Sequence, residues 1–147
     1  MRTIEFFAHG IPKGQPRPRA FSRNGHARVF DPSTAEGWKA AVAIAGAEYK
    51  GRFATGPLKV AIRFAFPRPK AHRHRDGSIR ASAPTFHTAK PDTDNAAKAV
   101  LDALTILGVW GDDAQVAQLW VSKRYADESG PGALITISEI EEVECAA

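Results

Sequence analysis

The stretch AKPDTDNAAKAVLDALTILG, residues 89–108, decides how the rest of the chain is read. Val100, Leu104 and Leu107 recur at helical spacing with Ala97 and Leu101 beside them, which predicts a helix with one buried face that stops at Gly108. Two carboxylates, Asp92 and Asp94, stand ahead of the apolar run, and Lys98 follows Asp94 by one turn. The helix therefore presents paired acids and a cation where it begins.

The segments on either side set the fold class. PLKVAIRFAF, residues 57–66, alternates as a strand with Leu58, Val60, Ile62, Phe64 and Phe66 inward and Lys59 and Arg63 outward. Residues 2–8 form a first strand with Ile4, Phe6 and Ala8 on one side. Residues 31–50 form a helix, capped by Asp31 or Ser33, whose buried stripe is Trp38, Val42, Ala45 and Tyr49. AQVAQLWVSKRY reads as a strand with Ala117, Leu119 and Val121 on one face, and ALITISEI as its antiparallel partner across the ESGPG turn. The expectation is one α+β domain over residues 1–147, a mixed or antiparallel sheet backed by two helices.

Two regions lack periodicity. Residues 9–30 are rich in Gly, Pro and Arg, with Pro12, Pro16 and Pro18 forbidding a regular helix, so they read as an arm ending in a short strand at residues 27–30. Residues 67–89 read as a mobile loop. Trp110 and Trp120 are read as core aromatics, with base stacking a second role for Trp110. His72 and His74 flank Arg73, which repels a metal dication, whereas His87 stands five residues before Asp92, within reach of the acidic helix start.

Composition narrows the function classes. No run approaches the roughly 20 apolar residues of a membrane span, and the N-terminal stretch lacks a secretory signal, so a cytoplasmic protein is expected. Cys145 is the one cysteine, which excludes an intrachain disulfide; in its acidic tail it is a poor nucleophile. The net charge of +4 conceals an asymmetry: residues 1–90 hold 17 Lys/Arg against 5 Asp/Glu, and residues 91–147 hold 3 against 11. Lys13, Arg17, Arg19, Arg23 and Arg28 occur without one acid among them, a stretch suited to following a phosphate backbone in a salt-sensitive way.

Asp92, Asp94, Asp102, Asp112 and Asp113 place five carboxylates within 22 residues. Any that converge in a partly buried pocket need protons or a cation, and magnesium takes such oxygen ligands at about 2.0–2.1 Å. The plain alternative is that these aspartates cap helices and turns, and that Lys98 makes an ordinary surface pair with Asp94. A calcium loop is excluded, because Ala96 and Ala97 stand where a further oxygen ligand and a glycine are required.

The combination is more specific than its parts. PDTDN opening a helix, Lys98 one turn in, and VWGDDAQV leading to a strand that ends in SKRY resemble the RusA family of Holliday junction resolvases. The resemblance covers most of the chain from Pro57 onward and is strongest from Lys90 to Tyr125; GIPKGQPRPRAFSRNGHARVF is similar to the basic segment before the first helix of many members. It implies a homodimeric endonuclease acting on four-way DNA junctions in recombination and repair, with Mg2+, or Mn2+ substituting, held by carboxylates. By that resemblance Asp92, Asp94 and Asp113 are the metal-binding aspartates and Lys98 the catalytic lysine, with Asp112 a weaker candidate. The Lys90-Pro91 lead-in and the His-Arg loop at 72–75 depart from the family pattern. Two competing readings stand beside it: a magnesium nuclease for flaps or forks, and a module that binds branched DNA without cutting it.

Overall fold

The structure, a computed structural model, describes residues 1–16, 19–23, 26–30 and 35–142, the stretches between 19 and 30 by their backbone alone. Six strands and two helices follow in the order β1 (Thr3–His9), β2 (Arg19–Arg23), β3 (His26–Phe30), α1 (Glu36–Gly46), β4 (Leu58–Phe66), α2 (Thr93–Leu107), β5 (Val116–Tyr125) and β6 (Gly132–Glu139). The main sheet has the order β1-β6-β4-β5; β2 and β3 form a separate two-stranded ribbon. This is the expected α+β class with a mixed sheet.

Alternation in β4 explains why it lies inside the sheet. Leu58, Val60, Ile62, Phe64 and Phe66 are all buried on the face that the helices cover. Antiparallel β6 lies on one side of β4, pairing Val60 with Ile137 and Ile62 with Ile135. Parallel β5 lies on the other, pairing Val60 with Leu119 and Phe66 with Tyr125, after a register shift between Leu58 and Lys59. β1 closes the far edge against β6, adding Ile4, Phe6 and Ala8 to the same buried face.

The expected hairpin between β5 and β6 is not present, because β4 lies between them. The turn at 126–131 therefore carries the chain across β4, and β5 reaches its parallel position through the α2 crossover that parallel neighbours require. Trp120 also departs from its expected place in the core. The face opposite Leu119 and Val121 has no helix over it, and Trp120 is 48% exposed.

The helices follow their stripes. In α1, Trp38 and Val42 are buried, with Ala45 and Tyr49 packed against the same cluster. Burial of Ala96, Ala97, Ala99, Val100, Ala103 and Leu104 fixes the face of α2. Gly108 ends α2 at φ 86°, where its N–H donates to the carbonyls of Leu104 and Thr105, a left-handed cap that a glycine adopts without strain. Trp110 does belong to the core, with its indole N–H donating to Thr105 Oγ1 at 2.8 Å.

Residues 67–89, expected as a mobile loop, hold defined contacts. A short turn covers Lys70–His72, Arg73 bridges to Ile79, and residues 85–87 run beside the end of β5. Tyr125 N–H donates to Thr85 O and His87 N–H to Lys123 O, both at 3.0 Å. The arm, expected to form one short strand, contains the β2–β3 ribbon, with Arg19 opposite Phe30 and Arg23 opposite His26. Asp31 and Ser33, the expected caps of α1, lie outside the described residues, as does Cys145.

Candidate active site

The start of α2 is built by backbone geometry. Asp92 is its N-cap in extended conformation and its carbonyl accepts from Ala96 N–H at 2.9 Å, yet its side chain makes no cap hydrogen bond. The Asp92 carboxylate instead accepts from Lys90 Nζ, at 2.8 and 3.0 Å, in an exposed ion pair. Asp94 and Lys98 both point outward from the first turns of α2. Among the described residues neither takes part in a salt bridge, so the ordinary Asp–Lys pair expected from their spacing is not formed.

Across from them, the turn before β5 treats two adjacent aspartates differently. Asp112 caps the Asp113–Gln115 turn: its Oδ1 accepts from Ala114 N–H at 3.1 Å, and Gln115 Oε1 accepts from Asp112 N–H at 3.0 Å. The amide of Gln115 is fully occupied, since Oε1 also accepts from Gly111 N–H and Nε2 donates to the carbonyls of Phe53 and Gly56. That structural duty leaves Asp113 to face the cleft. An open cleft of about 470 Å3 is lined by Asp94, Lys98 and Asp113, with Leu101 on its α2 wall and Leu119 and Val121 on its β5 wall.

Electrostatics separates the two aspartates as well. The Ala114 N–H, ahead of the Asp113 side chain, holds the Asp112 carboxyl below the usual carboxylate range. Asp113 is pushed above it, first by hydrogen bonding to Asp112, then by burial and by the negative charges of Asp112 and Asp102. Asp102 itself pairs with Lys39 and accepts from Gln15 Nε2 at 3.4 Å, so its carboxylate is engaged away from the cleft. An acid strained by neighbouring acids is one that a hard cation relieves.

The four residues proposed from sequence therefore divide. Asp94, Lys98 and Asp113 share one cleft, whereas Asp92 lines a neighbouring one with Lys13, Gly14, Lys90, Pro91 and Asn95. Among the described residues no three His, Cys, Asp or Glu side chains already converge as a metal cluster. The donor chemistry still fits a hard cation: Asp94 is in no ion pair among the described residues, Asp113 is crowded by other acids, and the Lys90–Asp92 pair is exposed enough to be exchanged at little cost. Of the basic arm, Lys13 is exposed at the mouth of the Asp92 cleft. Arg17 and the side chains of Arg19, Arg23 and Arg28 lie outside what is described.

Three positions that shape the start of α2 were missed in the sequence. Lys123 Nζ donates to Ala89 O at 2.7 Å and Pro91 O at 2.6 Å, pinning both sides of the cis Lys90-Pro91 peptide and hence the approach to Asp92. Gln15 N–H donates to Asn95 O at 3.1 Å, docking the arm on α2. Gly14 permits that approach, since a Cβ there would lie 2.3 Å from Asn95 Nδ2. The cue available in sequence was the uncommon GQ between prolines. His87, near the acidic start in sequence, is buried behind it, stacked on Phe66 at 3.9 Å and edge-on to Tyr125.

Asp94 and Lys98 on the crossover helix α2 thus share a cleft with Asp113 from the turn before β5, acids and a cation of the kind that suit a metal ion and a phosphate. The family model for endodeoxyribonuclease RusA matches residues 9–138, and the chain belongs to that family of Holliday junction endonucleases. It is 34% identical over 149 aligned positions to the uncharacterized protein YqaN of Bacillus subtilis (strain 168), covering 95% of this chain and 99% of that one. No helix among the described residues is long and apolar enough to cross a membrane.

Proposed function

We propose that this chain, as one domain over residues 1–147, is a divalent-metal-dependent endonuclease that resolves four-way DNA junctions as a homodimer, in recombination and repair within the cytoplasm. The observation that carries the reading is the shared cleft of Asp94, Lys98 and Asp113, in a member of the RusA family. Capping, the plain alternative for the aspartates, accounts for Asp112 but not for the cleft that Asp94 and Asp113 share with Lys98.

Asp94 and Asp113, joined by Asp92 when it releases Lys90, would hold Mg2+, with Mn2+ able to substitute. Bound there, the ion supplies a more acidic water and neutralises charge on the scissile phosphate. Lys98, on the same cleft, stabilises the negative charge that accumulates on the phosphate oxygens during attack. Lys13 and Lys90 bring positive charge to the adjoining mouth, and the arm of Arg17, Arg19, Arg23 and Arg28 extends the contact with phosphates. Among the described residues no cysteine, serine or histidine lines the cleft to form a covalent intermediate, which favours direct hydrolysis.

The test is cleavage of a synthetic four-way junction by purified protein in magnesium, beside linear duplex, flap and fork substrates, with Asp94→Asn as the paired sample. Junction-selective cutting into nicked duplexes, with Asp94→Asn binding but not cutting, supports the reading. Preferential cutting of flaps or forks moves the substrate to those structures. Magnesium-independent binding without cutting returns the aspartates to capping and leaves a DNA-binding module.

A further inference from the structure

The geometry points to the free edge of β5 as the seam along which two copies of this chain pair, strand to strand, about a two-fold axis. The inference rests on the dimeric reading above and assigns its surface. β5 is the end strand of the main sheet. Its outer edge is met only near its C-terminal end, by the Phe86–Arg124 bridge and by the backbone bonds of residues 85–87. From Val116 to Ser122, among the described residues, no strand lies beyond it.

An open edge presents a row of unpaired N–H and C=O groups, and monomeric proteins guard such rows with charge, proline or a covering element. Lys123, Arg124 and residues 85–87 guard the C-terminal end of β5, but residues 114–122, AQVAQLWVS, contain no charged residue and no proline. Ala117, Gln118, Leu119 and Trp120 are consecutively exposed, Leu119 at 46% and Trp120 at 48%. The opposite edge, β1, differs, carrying Glu5 and His9 with the Arg2–Glu139 ion pair at its end.

The occupant follows from this chemistry. DNA is disfavoured on residues 114–122, which hold no cation to meet a phosphate. A strand satisfies the backbone row, and an antiparallel copy of the same strand does so with the self-complementarity that a two-fold contact requires. Both faces of the seam then gain a partner. On the helix-free face, Trp120, with Arg63 stacked 5.5 Å from its ring, meets its counterpart. On the helix face Leu119, which already walls the Asp94–Lys98–Asp113 cleft, is covered by the second copy. Two clefts would then open beside one seam and on one side of a continuous sheet.

Light scattering on the full chain, without DNA or metal, measures the association directly. Wild type at micromolar concentration is expected at dimer mass, and Leu119→Lys and Gln118→Lys at monomer mass, each with a wild-type far-ultraviolet circular dichroism spectrum. If Leu119→Lys misfolds, Gln118→Lys, at an exposed polar position, carries the test. In a Cys145→Ser background, single cysteines across 117–122 should form disulfide-linked dimers most readily at the position nearest the axis, with yield falling to either side. Monomeric wild type overturns the inference. So does a dimer that survives Gln118→Lys while no single cysteine cross-links. Either failure leaves the nuclease reading to be judged on Asp94→Asn alone.

Discussion

The two acidic segments that flank the cleft use their aspartates in opposite ways. At the start of α2 the backbone of Asp92 does the capping and Asp94 lines the cleft with no ion pair among the described residues. At the turn before β5 a side chain does the capping, and Asp112 is consumed by Ala114 N–H while its neighbour Asp113 is released to the cleft. The same residue type, one position apart, is a cap in one case and part of the cleft wall in the other. What separates them is the hydrogen-bond demand of the local backbone.

Exchanging charge for an amide at each position breaks or confirms that contrast. Asp94→Asn and Asp113→Asn are expected to lose junction cleavage to below detection while keeping junction binding and thermal stability. Asp112→Asn keeps an acceptor for Ala114 N–H and should cut close to the wild-type rate, with a small fall in Tm. Equal loss of cleavage in Asp112→Asn and Asp113→Asn, read in single-turnover assays, would sink the division of labour.

Lys98→Met comes next in size. Removing one preorganised cation from the developing charge costs about 10²–10³ in rate. Because Lys98 makes no salt bridge among the described residues, stability should hardly change. A large loss of Tm would show that Lys98 is a structural residue.

Lys123→Met tests whether the α2 start needs its tether. The methionine keeps the packing near Phe66 but loses both bonds to Ala89 O and Pro91 O. Misplacing Asp92 by about 1 Å is expected to cost up to about 10²-fold in cleavage. The magnesium concentration for half-maximal cleavage should rise, and Lys123→Arg should recover part of the loss. A rate loss with unchanged magnesium dependence would mean that Lys123 acts elsewhere than on the carboxylates.

Much of this arrangement was legible in the sequence, and the parts that were not share a cause. Alternation identified the inward faces of β1 and β4, and the 3.6-residue stripe identified the buried faces of both helices, because burial on one side is written locally. Which strands become neighbours is not local: β5 and β6 are consecutive and separated by a turn, yet the more apolar β4 occupies the position between them. Trp120 was misplaced for the same reason, since a strand's two faces are visible in sequence but not which of them a helix covers. Lys123 gave no signal because its partners are carbonyls 32 and 34 residues away, and any residue type can supply a carbonyl. The candidate site was legible where side chains line the cleft, and hidden where backbone fixes the geometry.

The smallest expected effect lies directly behind that tether. His87 is buried between Phe66 and Tyr125, its Nδ1 has no hydrogen-bond partner among the described residues, and burial, then the charge of Lys123, lowers its pKa from 6.5. Above pH 6.5 both folded and unfolded chains hold it neutral, so stability there is independent of its titration. As pH falls below 6.5 the unfolded chain takes up the proton while the folded chain resists, and stability declines until the folded pKa is passed. The slope is bounded by about 1.4 kcal/mol per pH unit for one proton. Glu139, Asp112 and Asp76 are also lowered, but from ordinary values of 4.5, 3.8 and 3.8, so their losses begin at lower pH. His87→Phe keeps a ring against Phe66, removes the titrating nitrogen and should flatten the stability profile from about pH 6.5 downward, until the carboxylates begin to protonate. Urea unfolding of both proteins across that range decides it: parallel slopes would place the proton uptake on another group and leave His87 as a packing residue beneath the Lys123 tether.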